Sequence, residues 1–159
     1  MGLDELWFVR PYDFLSKLSS QVSEILFGIG KQLTVKKDQL IFNAGASSDY
    51  VYVLIEGRTK IFELTSEGKE VILWFCFPGE LFGIAEVIQG SNRAVHAHAC
   101  SKVKVLKIKR QLFMGFLKDY PEISLHVIEL LACRLRELGD VMSNLVSDEV
   151  ASRVVKLLT

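Results

Sequence analysis

The chain has 159 residues, half of them apolar, and its 19 basic and 19 acidic side chains cancel. That length suits one compact domain with a sizeable core, and the neutral balance argues against a disordered polyelectrolyte or a groove-reading nucleic-acid surface. Cys76, Cys100 and Cys133 are far apart and form no C-x-x-C pair, which argues against a cysteine zinc site, an iron–sulfur cluster or a disulfide framework and fits a reducing cytoplasm.

The N-terminus, MGLDELWFVR, lacks the long apolar core of a signal peptide, and the longest apolar run is too short to span a membrane. Residues 13–29, DFLSKLSSQVSEILFGI, carry Leu15, Leu18, Val22, Ile25 and Leu26 at helical spacing. Two short helices are expected there, with Ser19 or Ser20 as a cap. From residue 31 the period changes to short β-rich runs: LTVKKDQLIFNAG, DYVYVLIEGRTKIFEL, KEVILWFCF and AVHAHACSKVKVLKIKR. Turn signals at Asn43–Gly45, Glu56–Gly57, Glu67–Gly68 and Pro78–Gly79 separate them. Short strands at such close intervals, with no helix between them, predict an antiparallel barrel or jelly roll.

After Gln111 the pattern is helical. QLFMGFLKDY is a short amphipathic piece stopped by Pro121, which then opens a helix of about seven turns. Val127, Leu131, Arg134, Leu138, Val141 and Leu145 step by four and three, as in a two-stranded coiled-coil seam, and are read as a homodimer interface. The neighbouring row of Ile128, Leu135 and Met142 is expected to pack on the barrel. Burial of the whole helix within its own domain is the competing reading. Ser147 or Asp148 is expected to cap a further helix, SDEVASRVVKLLT, whose apolar face lacks a closing signal and suggests a chain cut short.

One stretch does not look like plain sheet. Residues 78–99, PGELFGIAEVIQGSNRAVHAHA, place three glycines, two glutamates and one arginine between β-like runs. Either it is a long surface turn, or it is a backbone cradle for a small anion with Arg93 as counter-charge. Arg93 paired with Glu86 or Glu80 on a surface strand is the plainer alternative.

The ordered set QLIFNAGASSDYVYVLIEGRTKIFELTSEGKEVILWF, PGELFG, RAVHAHA and PEI…CRL…NL…RVVKLL resembles the Crp/Fnr family of bacterial transcription regulators over essentially the whole chain. The resemblance implies an α+β, mainly β, jelly-roll sensor barrel of the cyclic-nucleotide-binding type over residues 1–120. A dimerisation helix over 121–146 and the start of a truncated helix-turn-helix DNA-binding domain over 147–159 would follow. It also implies a homodimer that contacts DNA through the missing domain and a small-molecule effector. The residues themselves argue against a membrane protein, since no apolar run is long enough, and against an enzyme, since no Ser/His/Asp set, metal triad or P-loop occurs, and a cytoplasmic location is expected.

By the same likeness, Phe82, Gly83, Ile84, Ala85, Glu86, Arg93 and Ala94 form the ligand cradle, completed by Arg134 and Leu138 of the long helix. Gly83 matches the close-approach glycine and Arg93 the phosphate arginine. Three positions depart. Ile84 stands where the ribose-binding glutamate belongs, Ala94 replaces the hydroxyl residue after the arginine, and Leu138–Gly139 align with the Thr-Ser pair that meets adenine. Each lost polar contact is worth about 0.5–1.5 kcal/mol, so the three together weaken cAMP by roughly two to four decades. A cyclic nucleotide or other small anion is the expected class of ligand, with cAMP itself disfavoured. Glu86, two residues beyond Ile84, is the candidate replacement for the missing glutamate.

His96 and His98, two apart on a strand, share a face and could ligate haem, as in gas-sensing relatives; solvated edge-strand histidines are the favoured reading. A charge at Arg134 in an apolar seam needs a partner, with Glu129 and Glu137 as candidates. A stand-alone nucleotide-binding module without DNA contact is the alternative from another class.

Overall fold

A computed structural model describes residues 11–158. Its elements, in chain order, are α1 (Ser20–Ile29), β1 (Gly30–Val35), β2 (Leu40–Phe42), β3 (Tyr50–Glu56), β4 (Thr59–Leu64), β5 (Glu70–Cys76) and β6 (Leu81–Phe82). Then come α2 (Ala85–Gln89), β7 (His96–Ala99), β8 (Val103–Lys109), α3 (Arg110–Asp119) and α4 (Pro121–Leu158). A 3-10 turn, Leu15–Lys17, precedes α1, so the two expected N-terminal helices are a turn and a helix. Ser19 caps α1, its hydroxyl accepting the N–H of Val22 at 3.2 Å.

The eight strands make two antiparallel sheets, β1-β8-β3-β6 and β2-β7-β4-β5, which face each other as a jelly roll. β8 runs between β1 and β3 and is buried on both faces, with Val103 and Val105 toward the opposite sheet and Leu106 and Ile108 toward the helices, so the half-exposed strand that its lysines predict is a central one. The histidine strand differs from expectation. It starts at His96 rather than at Arg93, and it lies between β2 and β4, so it is an inner strand and not an edge.

Apolar residues gather in two clusters. One, with Phe42, Tyr52, Leu54, Ile61, Phe82 and Val105, fills the space between the sheets. The other, with Phe14, Leu26, Val53, Leu106, Phe113, Val127 and Leu130, joins the first sheet to α1, α3 and α4. The long helix is therefore seated on the barrel by its own first three turns.

Helix α4 is continuous for 38 residues, about 57 Å at 1.5 Å per residue. The expected break at Ser147 or Asp148 does not occur. Neither residue needs to cap when the preceding turn supplies the backbone acceptors, and a serine or aspartate inside a helix costs well under 1 kcal/mol. From Met142 onward every described residue is exposed.

The face that α4 turns to the barrel also differs. Val127 and Arg134 are buried, Leu131 and Leu138 line a half-open cavity, and Val141 and Leu145 line a groove against β5. Most of the row read as a dimer seam thus faces its own chain, while Leu145 at its end is 50% exposed. Ile128, Leu135 and Met142, expected against the barrel, are 60%, 72% and 67% exposed. The physical reason is a long-range one: Arg134 is drawn inward by a buried carboxylate that sequence spacing does not reveal. Among the described residues no helix is long and apolar enough to cross a membrane.

Candidate functional site

A half-open cavity of about 330 Å³ lies between β6, α2 and α4. Its wall is apolar on most sides, from Phe42, Ile61, Trp74, Leu81, Phe82, Ile84, Val95, Leu130, Leu131, Leu135 and Leu138, with Glu86, Gln89 and Arg134 as its polar or charged side chains. β6 and the turn at Gly83 bring residues 81–86 to one edge. Gly83 has a φ of +68°, and a Cβ there would sit 2.9 Å from Arg93 Nη1, so both conformation and space require glycine. The group that approaches Gly83 closely is the chain's own Arg93 side chain.

Arg93 lies behind that turn and not in the cavity wall. It is 4% exposed, in the loop between α2 and β7, where its N–H donates to Ala46 and its carbonyl accepts from Gly45, each at 2.8 Å. Nη1 donates to the carbonyl of Gly83 at 2.7 Å and Nη2 to the carbonyl of Tyr50. The guanidinium carbon stacks 4.1 Å from the Phe42 ring centroid. Burial lowers the pKa of Arg93, while Glu86, Tyr52 and Asp49 oppose the shift. Glu86 carries the counter-charge: its Oε2 is 3.6 Å from Nη1, and its Oε1 accepts the N–H of Ala94 at 3.2 Å. The expected ligand residues therefore divide. Phe82, Gly83, Ile84, Ala85, Glu86, Arg134 and Leu138 line the cavity; Arg93 and Ala94 are held behind it by Glu86.

The long helix contributes a second buried charge cluster. Arg134 Nη2 donates to Glu80 Oε1 at 2.8 Å and Nη1 to Glu137 Oε2 at 2.7 Å, while its guanidinium carbon lies 5.1 Å from the Trp74 ring centroid. Glu80 is 0% exposed and also accepts the N–H groups of Tyr12, at 2.7 Å, and Phe77, at 2.6 Å. Burial raises the Glu80 carboxyl above its ordinary range, against the pull of Arg134 and those two N–H groups. Burial likewise opposes the charge on Arg134, but the acidic groups around it prevail and its pKa ends above the usual arginine value. Of the two candidate partners, Glu137 is used. Glu129 instead accepts the Tyr12 hydroxyl at 2.5 Å and lies 3.6 Å from His126. Sequence reasoning placed Glu80 only as a surface partner of Arg93. The local clue to its role is its position in PGELFG, at the end of a tight turn whose Phe77 N–H donates to its carboxylate.

A profile of the cyclic nucleotide-binding domain matches residues 32–120. The chain belongs to the cyclic nucleotide-binding domain family. Among curated proteins, it is 29% identical over 118 residues to the CRP-like cAMP-activated global transcriptional regulator of Mycobacterium tuberculosis, covering 74% of this chain and 53% of that one. It is also 29% identical over 154 residues to a lysophospholipase of Aspergillus oryzae, covering 90% of this chain and 10% of that one. Among solved structures it superposes on the catabolite activator protein of Thermus thermophilus with a TM-score of 0.74 at 24% identity, over 85% of this chain and 63% of that one. The Crp/Fnr-type sensor domain and its jelly roll, expected from the sequence, stand on these matches. The chain spans about half the length of the mycobacterial regulator and a tenth of the lysophospholipase.

As a cyclic nucleotide-binding domain, the chain invites a test of fit to its family's ligand. A cyclic phosphate needs free donors and a positive charge, the ribose an acceptor, and the base polar partners. Here both Arg93 terminal nitrogens and the Ala94 N–H are already bonded within the chain, and Ile84 and Leu138 present hydrocarbon. These residues do not fit a cyclic nucleotide. Nor are the histidines arranged for haem. His96 Nδ1 accepts the N–H of Ala44 at 3.2 Å, His98 Nε2 meets the carbonyl of Asp38, and Phe62 stacks 5.1 Å from His96. Among the described residues no group of three or more histidines, cysteines or carboxylates could hold a metal ion.

Proposed function

We propose that this chain is the effector-sensing and dimerising portion of a Crp/Fnr-type DNA-binding transcription regulator of the cytoplasm. The observation that carries the proposal is the cavity's position. It is walled by β6 and α2 on one side and by Leu131, Arg134 and Leu138 of α4 on the other, so any occupant touches barrel and helix together. A change in occupancy then changes how α4 sits on the barrel. In a dimer of parallel α4 helices that shift would reset the spacing of two DNA-binding domains over half-sites about 34 Å apart.

The outward row of α4 supports pairing. Leu125, Ile128, Ala132, Leu135, Gly139, Met142 and Val146 step by three and four, all apolar or small and all exposed. That is a heptad seam one row round from the one expected, and a second copy of the helix is its natural complement. The exposed Val150, Val154, Val155, Leu157 and Leu158 offer an apolar base on which a following winged helix could pack.

The test is binding of the complete gene product to a two-fold-symmetric DNA site in an electrophoretic assay. Retarded, salt-sensitive complexes with protein dimers support the reading. A dimer that ignores DNA overturns it in favour of a regulatory module without DNA contact. The lysophospholipase likeness over 90% of the chain is the observation that keeps that second reading in view.

A further inference from the structure

In the proposed sensor, the cavity is the place where an effector would act. We infer that this cavity takes an uncharged, largely apolar small molecule, because the chain's own Glu86 carboxylate already occupies the anion seat beside Arg93. The inference rests on the sensor reading and adds the chemical class of its ligand.

Three observations carry it. First, the positive charge behind the Gly83 turn is matched inside the protein. Glu86 Oε2 lies 3.6 Å from Arg93 Nη1 and Oε1 takes the Ala94 N–H, so an incoming anion would meet a carboxylate where it needs donors. Second, the guanidinium that does line the cavity is held by carboxylates, since Arg134 is fixed by Glu80 at 2.8 Å and Glu137 at 2.7 Å, whereas Arg93, behind the wall, keeps a single buried nitrogen, Nε, without a hydrogen-bond partner. Neither arginine has a terminal nitrogen without a protein partner. Third, apart from the uncharged Gln89 the remaining wall is hydrocarbon and aromatic, with Phe42, Trp74, Phe82, Leu130 and Leu138 in it. A cavity of about 330 Å³ is within the range that holds a small ligand, and with such a lining the gain comes from apolar area removed from water. A charged ligand would be desolvated there without compensation.

The test uses two probes on the purified chain: the neutral fluorophore N-phenyl-1-naphthylamine and cAMP. The expected result is saturable dye fluorescence at one dye per chain. Affinity should fall at least about tenfold in V95W and in L138W, each placing an indole in the cavity, and stay unchanged in L64S, at an exposed position of β4 that lines neither the cavity nor the groove. Two cavity variants are used so that misfolding of one, seen in its thermal melt, leaves the other to decide. Millimolar cAMP should leave the dye in place in the wild-type chain. In E86Q, which removes the resident carboxylate charge, cAMP should compete at a concentration at least about tenfold lower.

Saturable cAMP binding by the wild-type cavity at micromolar concentration overturns the inference and leaves the sensor reading standing. Equal cAMP competition in E86Q and wild type overturns the role given to Glu86. Dye binding untouched by both cavity variants, or neither probe binding any form of the protein, removes the ligand site and the sensor reading with it.

Discussion

Arg134 Nη2, on the fourth turn of α4, lies 2.8 Å from Oε1 of Glu80, a carboxylate with no exposed surface at the entrance to β6. Through that one pair the long helix is tied to the same short segment that forms the cavity edge. Glu80 is also the acceptor for Tyr12 and Phe77, so the N-terminal segment and the end of β5 share the anchor. A helix held this way cannot roll on the barrel without breaking a buried ion pair.

The first prediction concerns that anchor. Arg134→Ala leaves Glu80 and Glu137 without their shared cation and is expected to cost about 3–5 kcal/mol of unfolding free energy. Combining Arg134→Met with Glu80→Gln and Glu137→Gln removes charge on both sides and is expected to recover part of that loss. Urea unfolding followed by circular dichroism measures both; a single variant as stable as the wild type contradicts the anchor.

How far these features could be read in the sequence depends on the range of the interaction. The turns at Gly57 and Gly68, the Ser19 cap and the strand runs are local, decided by a residue and its immediate neighbours, and they are legible. The roll of α4 is not local. Two apolar rows lie side by side on that helix, and periodicity alone cannot say which faces the barrel. The choice is made by Glu80, 54 residues away from Arg134 in sequence. For the same reason the sequence leaves Arg93 open between an anion cradle and a surface pair with Glu86 or Glu80; that the Glu86 pair forms in a buried place behind the Gly83 turn is decided only by the fold.

A second prediction isolates backbone strain from crowding. Gly57 has a φ of +89°, and a Cβ there would lie 2.5 Å from the carbonyl oxygen of Lys102. Gly68, at a φ of +82°, has open space around it. Gly68→Ala is expected to cost about 1–2 kcal/mol from the left-handed conformation alone. Gly57→Ala must displace backbone as well and should cost more, by about 1 kcal/mol or above. Equal midpoints in chemical denaturation would show that the β3–β4 turn moves freely.

Cys76 supplies a prediction in pH. The thiol is fully buried at the end of β5, and burial pushes its pKa up to about 12, with Arg134 and Trp74 acting the other way. In the unfolded chain a thiol ionises near its ordinary value, so unfolding releases a proton between that value and about 12. Stability is therefore present below the ordinary thiol range and falls as pH rises through it. Cys76→Ala is expected to flatten that alkaline decline, measured as the melting midpoint against pH, although it is less stable at neutral pH for the lost packing. At pH 8 the native thiol should resist a disulfide reagent, whereas the half-buried Cys133 should react. Rapid labelling of Cys76 in the folded protein would contradict its placement.

The last prediction decides which face of α4 meets a second copy. Ile128 and Met142 are two heptads apart on the exposed row and touch neither the cavity nor the groove beside β5. Ile128→Asp and Met142→Asp bury a carboxylate in the seam if that row pairs, and each is expected to convert a dimer to a monomer at micromolar concentration in light scattering. Leu145→Asp lies on the row facing the chain's own β5 and is expected to leave the mass unchanged. The opposite pattern, with Leu145→Asp dissociating the dimer and Ile128→Asp not, would return the interface to the row containing Arg134. The helix would then have to roll away from Glu80 on pairing, breaking the 2.8 Å contact, and dimerisation would carry the cost of that buried pair.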